Sequence, residues 1–262
     1  MYTYIMLSDK IKVRISPFIA LIIDNDAQSW GFVKGDDSSN KNAFLNKLIP
    51  NMVALRKERR EEIRELLEND YQRDDAEKVY ECVNTVIDQV YFRDEELDNL
   101  TEDVWIRPDR EHLSIFDEIE TEELAVTMLD MSAYIRGLLN EYVRLPQYKR
   151  QQILFREEKD LINEACVTER ILRFFYDGER YKVYAYWMMY QYSLKQQCYL
   201  VAYDLERREI RSFFLEKIKE PYMLKKKFIP PQPLEELLTE YCESGEYNED
   251  TVLIIEEKSD EK

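Results

Sequence analysis

The chain has 262 residues, of which 37 are basic and 54 acidic, so its formal charge is −17. This length suffices for one large domain or roughly two to three small ones. An acidic chain disfavours a nucleic-acid partner, but the charge is segregated. Residues 61–130 carry six basic and 24 acidic side chains, whereas residues 131–220 carry 16 basic and 13 acidic ones. Phosphate binding needs only a local basic face, so nucleic acid stays open as a partner.

Several functional classes find no support in the residues. The four cysteines and the single histidine lack zinc-binding spacing, and the five glycines form no phosphate-binding loop motif. We therefore expect no metal and no cofactor. His112 lies in a charged region without a recognisable nucleophile, so we expect no enzymatic activity. No stretch approaches the about 18 apolar residues of a membrane span, and no signal peptide is recognisable. We expect a cytoplasmic protein that does not bind membranes.

The first predicted elements are a strand and two helices. Apolar and basic residues alternate through residues 10–15, which predicts a strand with one apolar and one basic face. Ser16 is suited to cap a helix that begins at Pro17. A polar turn follows, and Ser38 or Ser39 is suited to cap the second helix. The basic positions of the strand are Lys10, Lys12 and Arg14.

This order of elements over residues 9–52 resembles the ribbon-helix-helix family. In that family two such units pair their strands into an antiparallel ribbon, whose outward side chains enter the DNA major groove. The resemblance makes Lys10, Lys12 and Arg14 candidate readers of nucleic acid. An edge strand with solvated cations is the competing interpretation, because such cations protect an edge from aggregation. Residues from about 101 onward read either as a diverged second unit or as connecting helices, and pairing within or between chains stays open.

Strand-forming residues dominate residues 168–218. Asp177 and Gly178 are a two-residue hairpin signal between the first two runs. Short connections between successive strands favour a meander, and closing it into a small barrel would remove its edges. The predicted strands cover about residues 168–176, 180–192, 197–203 and 209–218.

The last two of these strands resemble the WYL domain family, which is named for a Trp-Tyr-Leu sequence in its third strand. Tyr199 and Leu200 match it, and Cys198 replaces the tryptophan. The resemblance implies an Sm-like barrel that binds nucleic acid or nucleotide-like ligands, and it leaves open whether a small ligand also binds. The family's Arg-x-Phe-Arg-Leu-Asp-Arg-Ile motif is matched at Arg211, Phe213, Leu215 and Ile218, with departures at Phe214, Glu216 and Lys217.

A surface of aromatic and basic side chains suits single-stranded nucleic acid. Bases stack on aromatic rings for about 1–3 kcal/mol each, while cations hold the phosphates. Arg211 is the first candidate, and Lys217, placed in the same predicted strand, is expected to share its face. Packing in the barrel core is the competing explanation for every aromatic residue. The candidates in this module are Arg211, Tyr186, Lys195, Tyr199, Tyr203, Phe213 and Lys217.

The sequence therefore predicts an α+β protein. Its helical N-terminal region, with one or two ribbon-helix-helix-like units, precedes a small Sm-like β-barrel and a short C-terminal α/β extension. The expected divisions are residues 1–55 for the first unit, 56–150 for a helical region, 151–222 for the WYL domain and 223–262 for the extension.

This architecture resembles the WYL-domain accessory proteins of type VI-D CRISPR systems. The resemblance implies a protein of antiviral defence that binds single-stranded RNA and enhances an RNA-guided, RNA-cleaving effector nuclease. It also implies a homodimer formed through the C-terminal part, where residues 251–255 are a short apolar run suited to pair across the dimer. Two alternatives remain: a transcription regulator whose ribbon binds duplex DNA, and an adaptor that binds no nucleic acid. RNA sequence preference and the effector contact surface do not follow from the sequence.

Overall fold

The computed structural model describes residues 10–70, 73–92, 101–127, 129–190, 197–244 and 253–254. It contains helices and two antiparallel sheets, which confirms the α+β class. The chain divides into two compact units, Met1–Leu145 and Pro146–Lys262. The finer division expected from the sequence stays a prediction. Within the described residues, no helix combines the length and apolar character needed to cross a membrane.

The first unit is mainly helical and contains a two-stranded ribbon. Helix α6 packs against β1, α1, α2 and α3, so it lies at the centre of the unit. A π-helical turn, Ile119–Glu123, joins α4 to α5. The elements are β1 (Ile11–Ile15), α1 (Pro17–Ser29), α2 (Lys41–Asp70), α3 (Arg73–Phe92), β2 (Glu102–Ile106), α4 (Leu113–Glu118), α5 (Leu124–Thr127) and α6 (Met131–Val143).

The ribbon forms within one chain. Strand β1 pairs antiparallel with β2, with Val13 opposite Val104 and Arg14 opposite Asp103. Alternation places Val13, Val104 and their apolar neighbours against the helices, where both are buried. The intrachain pairing supplies the partner that an isolated strand requires.

Helix ends in this unit follow local hydrogen-bond chemistry. Ser16 caps α1 as predicted, since its side-chain oxygen accepts a hydrogen bond from the Ile19 backbone N–H at 3.4 Å. The expected cap of α2 was wrong. Asn40 fills that role by accepting from the Ala43 N–H at 3.2 Å, while the Ser39 hydroxyl donates to Asp24 instead.

The second unit is a six-stranded antiparallel sheet with flanking helices. Its strand order is β7-β3-β4-β5-β6-β8. Asp177 and Gly178 both have positive φ, 48° and 82°, as the predicted two-residue hairpin requires. The elements are α7 (Gln147–Leu154), α8 (Arg156–Val167), β3 (Arg170–Tyr176), β4 (Glu179–Tyr190), β5 (Cys198–Asp204), β6 (Glu209–Phe214), β7 (Lys219–Lys227), α9 (Gln232–Ser244) and β8 (Leu253–Ile254).

Two sequence-based expectations for this unit need correction. The described strands form an open sheet, not a closed barrel, because the edge strands β7 and β8 do not pair and α9 lies between them in the chain. Lys217 is not in the strand of Arg211, since β6 ends at Phe214 and Leu215–Lys217 is a short 3-10 turn. Leu253 and Ile254, from the run expected to pair across a dimer, pair within the chain, with Leu253 opposite Ile210. Pairing of this run across a dimer stays a prediction.

Candidate nucleic-acid interface

One face of the sheet in the second unit carries four packed aromatic rings, which we call the aromatic cluster. The hairpin register places Phe174 of β3 opposite Tyr181 of β4. The ring of Phe213, from β6, lies 5.0 Å from both of them and 5.1 Å from the ring of Tyr176. All four side chains are buried, so most of their stacking surface is used by one another. The aromatic cluster consists of Phe174, Tyr176, Tyr181 and Phe213.

Three cations border the aromatic cluster. The Arg211 guanidinium lies 5.4 Å from the centre of the Tyr181 ring and donates a hydrogen bond to the Tyr181 hydroxyl at 3.0 Å. The Arg207 guanidinium lies 4.4 Å from the centre of the same ring. Lys217 reaches the cluster through Tyr176, whose ring centre is 5.7 Å from the ammonium nitrogen. Arg211 and Lys217 therefore meet one cluster, although they do so from different elements.

Each of these cations has a carboxylate of its own. Arg207 pairs with the buried Asp204 at 2.9 Å, and the hydrogen bond that its guanidinium donates to this carboxylate raises the pKa of Arg207. Arg211 lies 3.4 Å from Glu209, and Lys217 lies 3.6 Å from an Asp177 oxygen. An anionic ligand at the aromatic cluster must therefore compete with carboxylates that already neutralise the cations.

The remaining predicted residues of this unit lie elsewhere. Tyr199 is buried, with its ring 4.7 Å from that of Phe214. Tyr186 and Tyr203 pack against the core beneath α9, and the Tyr186 hydroxyl lies 3.0 Å from the Thr239 hydroxyl. Alternation places this core on the sheet face opposite the aromatic cluster. Lys195 lies outside the described residues. Of the predicted residues in this unit that the structure describes, Arg211, Phe213 and Lys217 lie together.

The sequence reasoning missed two neighbours of Arg211. Tyr181 could have been found, because a two-residue turn at Asp177 fixes it opposite Phe174. Arg207 had no such signal, since its position depends on Asp204 accepting hydrogen bonds from the turn that follows β5.

On the basic face of the ribbon in the first unit, an acidic side chain, Asp103, lies against two of the cations. The Lys12 ammonium lies 2.7 Å from an Asp103 oxygen, and the Arg14 guanidinium lies 3.6 Å from the same carboxylate. The hydrogen bond from Lys12 lowers the pKa of Asp103. Lys12 also lies 5.5 Å from the centre of the exposed Trp105 ring, while Lys10 is exposed at the start of the strand. Asp103 therefore neutralises part of the predicted DNA-reading face.

The second unit contains a recognisable family segment. Residues 157–223, which include α8, the strands β3 to β6 and the first part of β7, match the model of the WYL domain. This part of the chain is a WYL domain. The match confirms the resemblance found in the sequence around Tyr199 and Arg211.

Solved structures extend the comparison beyond this domain. One is described as "Crystal structure of a CRISPR Cas-related protein" and is similar to this chain with a TM-score of 0.66 and 13% identity. The match covers 84% of this chain but only 64% of the length of that chain. At this identity the match shows a shared fold. "Proteasome accessory factor B/C (PafBC) of Arthrobacter aurescens" matches with a TM-score of 0.26 and 16% identity, over 37% of this chain and 16% of that one. No curated protein matches the chain.

The part of the chain that the structure describes contains no evident metal-binding site. No three His, Cys, Asp or Glu side chains come together there in a way that could hold a metal ion. The four cysteines are free thiols.

Proposed function

We propose that this protein is a cytoplasmic accessory protein that binds single-stranded RNA and enhances an RNA-guided, RNA-targeting CRISPR effector nuclease. It contributes binding and no catalysis of its own, and it acts as a homodimer. The observation that carries the proposal is a WYL domain within a fold shared over 84% of the chain with a CRISPR Cas-related protein.

The proposed mechanism is tethering. Cations of the WYL domain hold RNA phosphates, and exposed rings stack on bases. An accessory protein that holds target RNA and also contacts the effector raises the effective concentration of that RNA at the effector. The protein then raises the cleavage rate most at low target concentration, where capture limits the rate.

Arg211 is the residue to test first within the WYL domain. Its side chain is 22% exposed, so part of it is available to a ligand beyond Tyr181 and Glu209. We expect Arg211→Ala to weaken binding of labelled single-stranded RNA in fluorescence anisotropy at two salt concentrations, with duplex DNA binding unchanged. Lys78→Gln, which removes a 77% exposed cation from α3, is the matched control.

A cleavage assay completes the test. An RNA-guided, RNA-cleaving effector is incubated with limiting target RNA, with and without the protein. The proposal predicts a faster reaction with the wild type, a smaller gain with Arg211→Ala and an unchanged gain with Lys78→Gln. A wild-type protein that binds no single-stranded RNA would refute the proposal.

The ribbon supports a second candidate, a transcription regulator that binds duplex DNA. An antiparallel pair of β1 and β2, with helices after both strands, resembles a ribbon-helix-helix dimer built within one chain. Its readers would be Lys10, Lys12 and Arg14. This candidate predicts tighter binding to duplex DNA than to RNA, with a loss of affinity in the Lys12→Ala and Arg14→Ala variants.

A further inference from the structure

A second basic surface lies on the sheet face opposite the aromatic cluster. In β3, Arg173 lies directly opposite Lys182 of β4 on one side and Tyr222 of β7 on the other. Side chains alternate along a strand, so Arg173 points away from the face that holds its neighbour Phe174. Arg173 and Tyr222 are exposed, and Lys182 is half-buried.

The next row of the same face continues this pattern. Phe175 lies opposite Arg180 of β4 and Lys219 of β7, and both cations are exposed. The Arg180 guanidinium lies 5.3 Å from the centre of the Phe175 ring, so it covers that ring while keeping its charge accessible. We call this surface the basic sheet face, and its members are Arg173, Phe175, Arg180, Lys182, Lys219 and Tyr222.

Like charges face each other on this surface. Residues directly opposite in an antiparallel pair have Cβ atoms about 4.5–5.5 Å apart, and like charges at such positions destabilise the sheet. Arg173 and Lys182 occupy such a pair, and no ion pair with a carboxylate involves either one within the described residues. On the opposite face, by contrast, carboxylates neutralise Arg207 and Arg211. Arg173 and Lys182 therefore form a pair of cations to which an anion can bind without displacing a carboxylate from either one within the described residues.

Edge protection explains only part of this surface. Lysines on an edge strand discourage pairing with other chains, and β7 is an edge that ends in Lys225, Lys226 and Lys227. Arg173 and Lys182 lie on strands that have neighbours on both sides, so edge protection does not require them. Tyr222 is 64% exposed, so its ring is accessible to a stacking partner.

We propose that the basic sheet face binds single-stranded RNA, with Arg173 and Lys182 on the phosphate backbone and Tyr222 stacked on a base. Alternating cations and an accessible ring are the combination that single strands require. The inference rests on the proposed function and places the main RNA contact opposite Arg211. A bound phosphate also relieves the repulsion between Arg173 and Lys182.

The test compares salt dependence among variants of the full chain. Labelled single-stranded RNA is titrated by anisotropy over a series of salt concentrations. We expect Arg173→Gln/Lys182→Gln to reduce the log–log salt slope by about 1.4, because each lost phosphate contact removes about 0.7 on a single strand. We expect Tyr222→Ala to weaken binding at least about fivefold, since one stacked base contributes about 1 kcal/mol or more.

Thermal unfolding separates a binding role from a structural one. The double variant removes a repulsive pair, so its melting temperature is expected to equal or exceed that of the wild type while its RNA affinity falls. Two exposed cations of the first unit provide the charge-matched control, Lys34→Gln/Lys78→Gln, and Phe18→Ala removes an exposed ring there. Both controls are expected to bind RNA as the wild type does.

Each outcome decides a different point. Wild-type affinity and salt slope in the Arg173→Gln/Lys182→Gln and Tyr222→Ala variants, with a loss in Arg211→Ala, overturn this inference and leave the proposed function standing. A wild type that binds no RNA overturns both. Displacement of RNA by polyglutamate at equal charge concentration identifies the face as a site for acidic proteins, which also overturns the assignment to RNA.

Discussion

Replacing Glu141 tests a buried ion network that joins α2 to α6. The Glu141 side chain is 1% exposed, and its carboxylate lies 3.8 Å from the guanidinium of Arg56, which is 3% exposed. A second contact, at 2.6 Å, joins it to Arg59. Glu141→Ala removes the counterion of a buried cation, and such a loss costs about 3–5 kcal/mol of unfolding free energy. For a unit of this size we expect the melting temperature to fall by about 6–20 °C.

Urea unfolding followed by far-ultraviolet circular dichroism measures this loss, because the first unit supplies much of the helical signal. Arg56→Met/Glu141→Leu replaces both charges with apolar groups and is expected to recover most of the stability. Glu61→Ala is the control, since Glu61 pairs with Arg64 on the surface of α2 and its removal is expected to cost less than about 1 kcal/mol. A loss below about 1 kcal/mol in Glu141→Ala would refute the argument that the buried charge requires its partner.

Four further outcomes follow. Burial raises the pKa of the Cys198 thiol to about 12, so at pH 8 a thiol reagent should label the exposed Cys82 first, and equal rates would contradict this. Since the folded-state pKa is raised, the stability that this thiol contributes is lost as pH rises from its ordinary value of 9.0 towards 12, measurable by urea titration. Asp103→Asn should strengthen duplex DNA binding and steepen its salt dependence, measured by anisotropy, if the ribbon binds DNA. Gly178→Ala should lower the melting temperature, because its φ of 82° strains any side chain.

Local signals predicted the elements that depend on local chemistry. Alternation around Val13 predicted β1, and the Ser16 cap predicted the start of α1. Strand β7 gave no comparable signal, because an exposed edge strand that ends in lysines does not alternate. Pro50 lies inside a helix, since α2 runs through it from Lys41 to Asp70. Burial of apolar side chains on both sides of the proline, including Ile49 and Val53, outweighs the lost hydrogen bond.

Only part of the candidate site could be predicted from the sequence. Arg211 was found through the WYL motif, but the carboxylates that neutralise the neighbouring cations come from turns and strands whose pairing is long-range. Asp204, for example, reaches Arg207 only because it ends β5 at a tight turn. Arg173 and Lys182 were overlooked because each is ordinary by itself, and only the hairpin register places them opposite each other. Charge compensation is therefore a property of the fold that a linear motif does not record.

Neutralisation of cations by nearby carboxylates also distinguishes the competing binding surfaces of this protein. In the first unit Asp103 lies against both Lys12 and Arg14, so the ribbon must break two ion pairs before it binds a phosphate. At the aromatic cluster Arg211 faces the same obstacle through Glu209. The exposed pairs of the ribbon contribute little to stability, but every such pair, at the ribbon or at Arg211, reduces the local potential that attracts a polyanion. Within the described residues, Arg173 and Lys182 of the basic sheet face form no such ion pair, and this supports the proposal of RNA binding by the WYL domain over DNA binding by the ribbon.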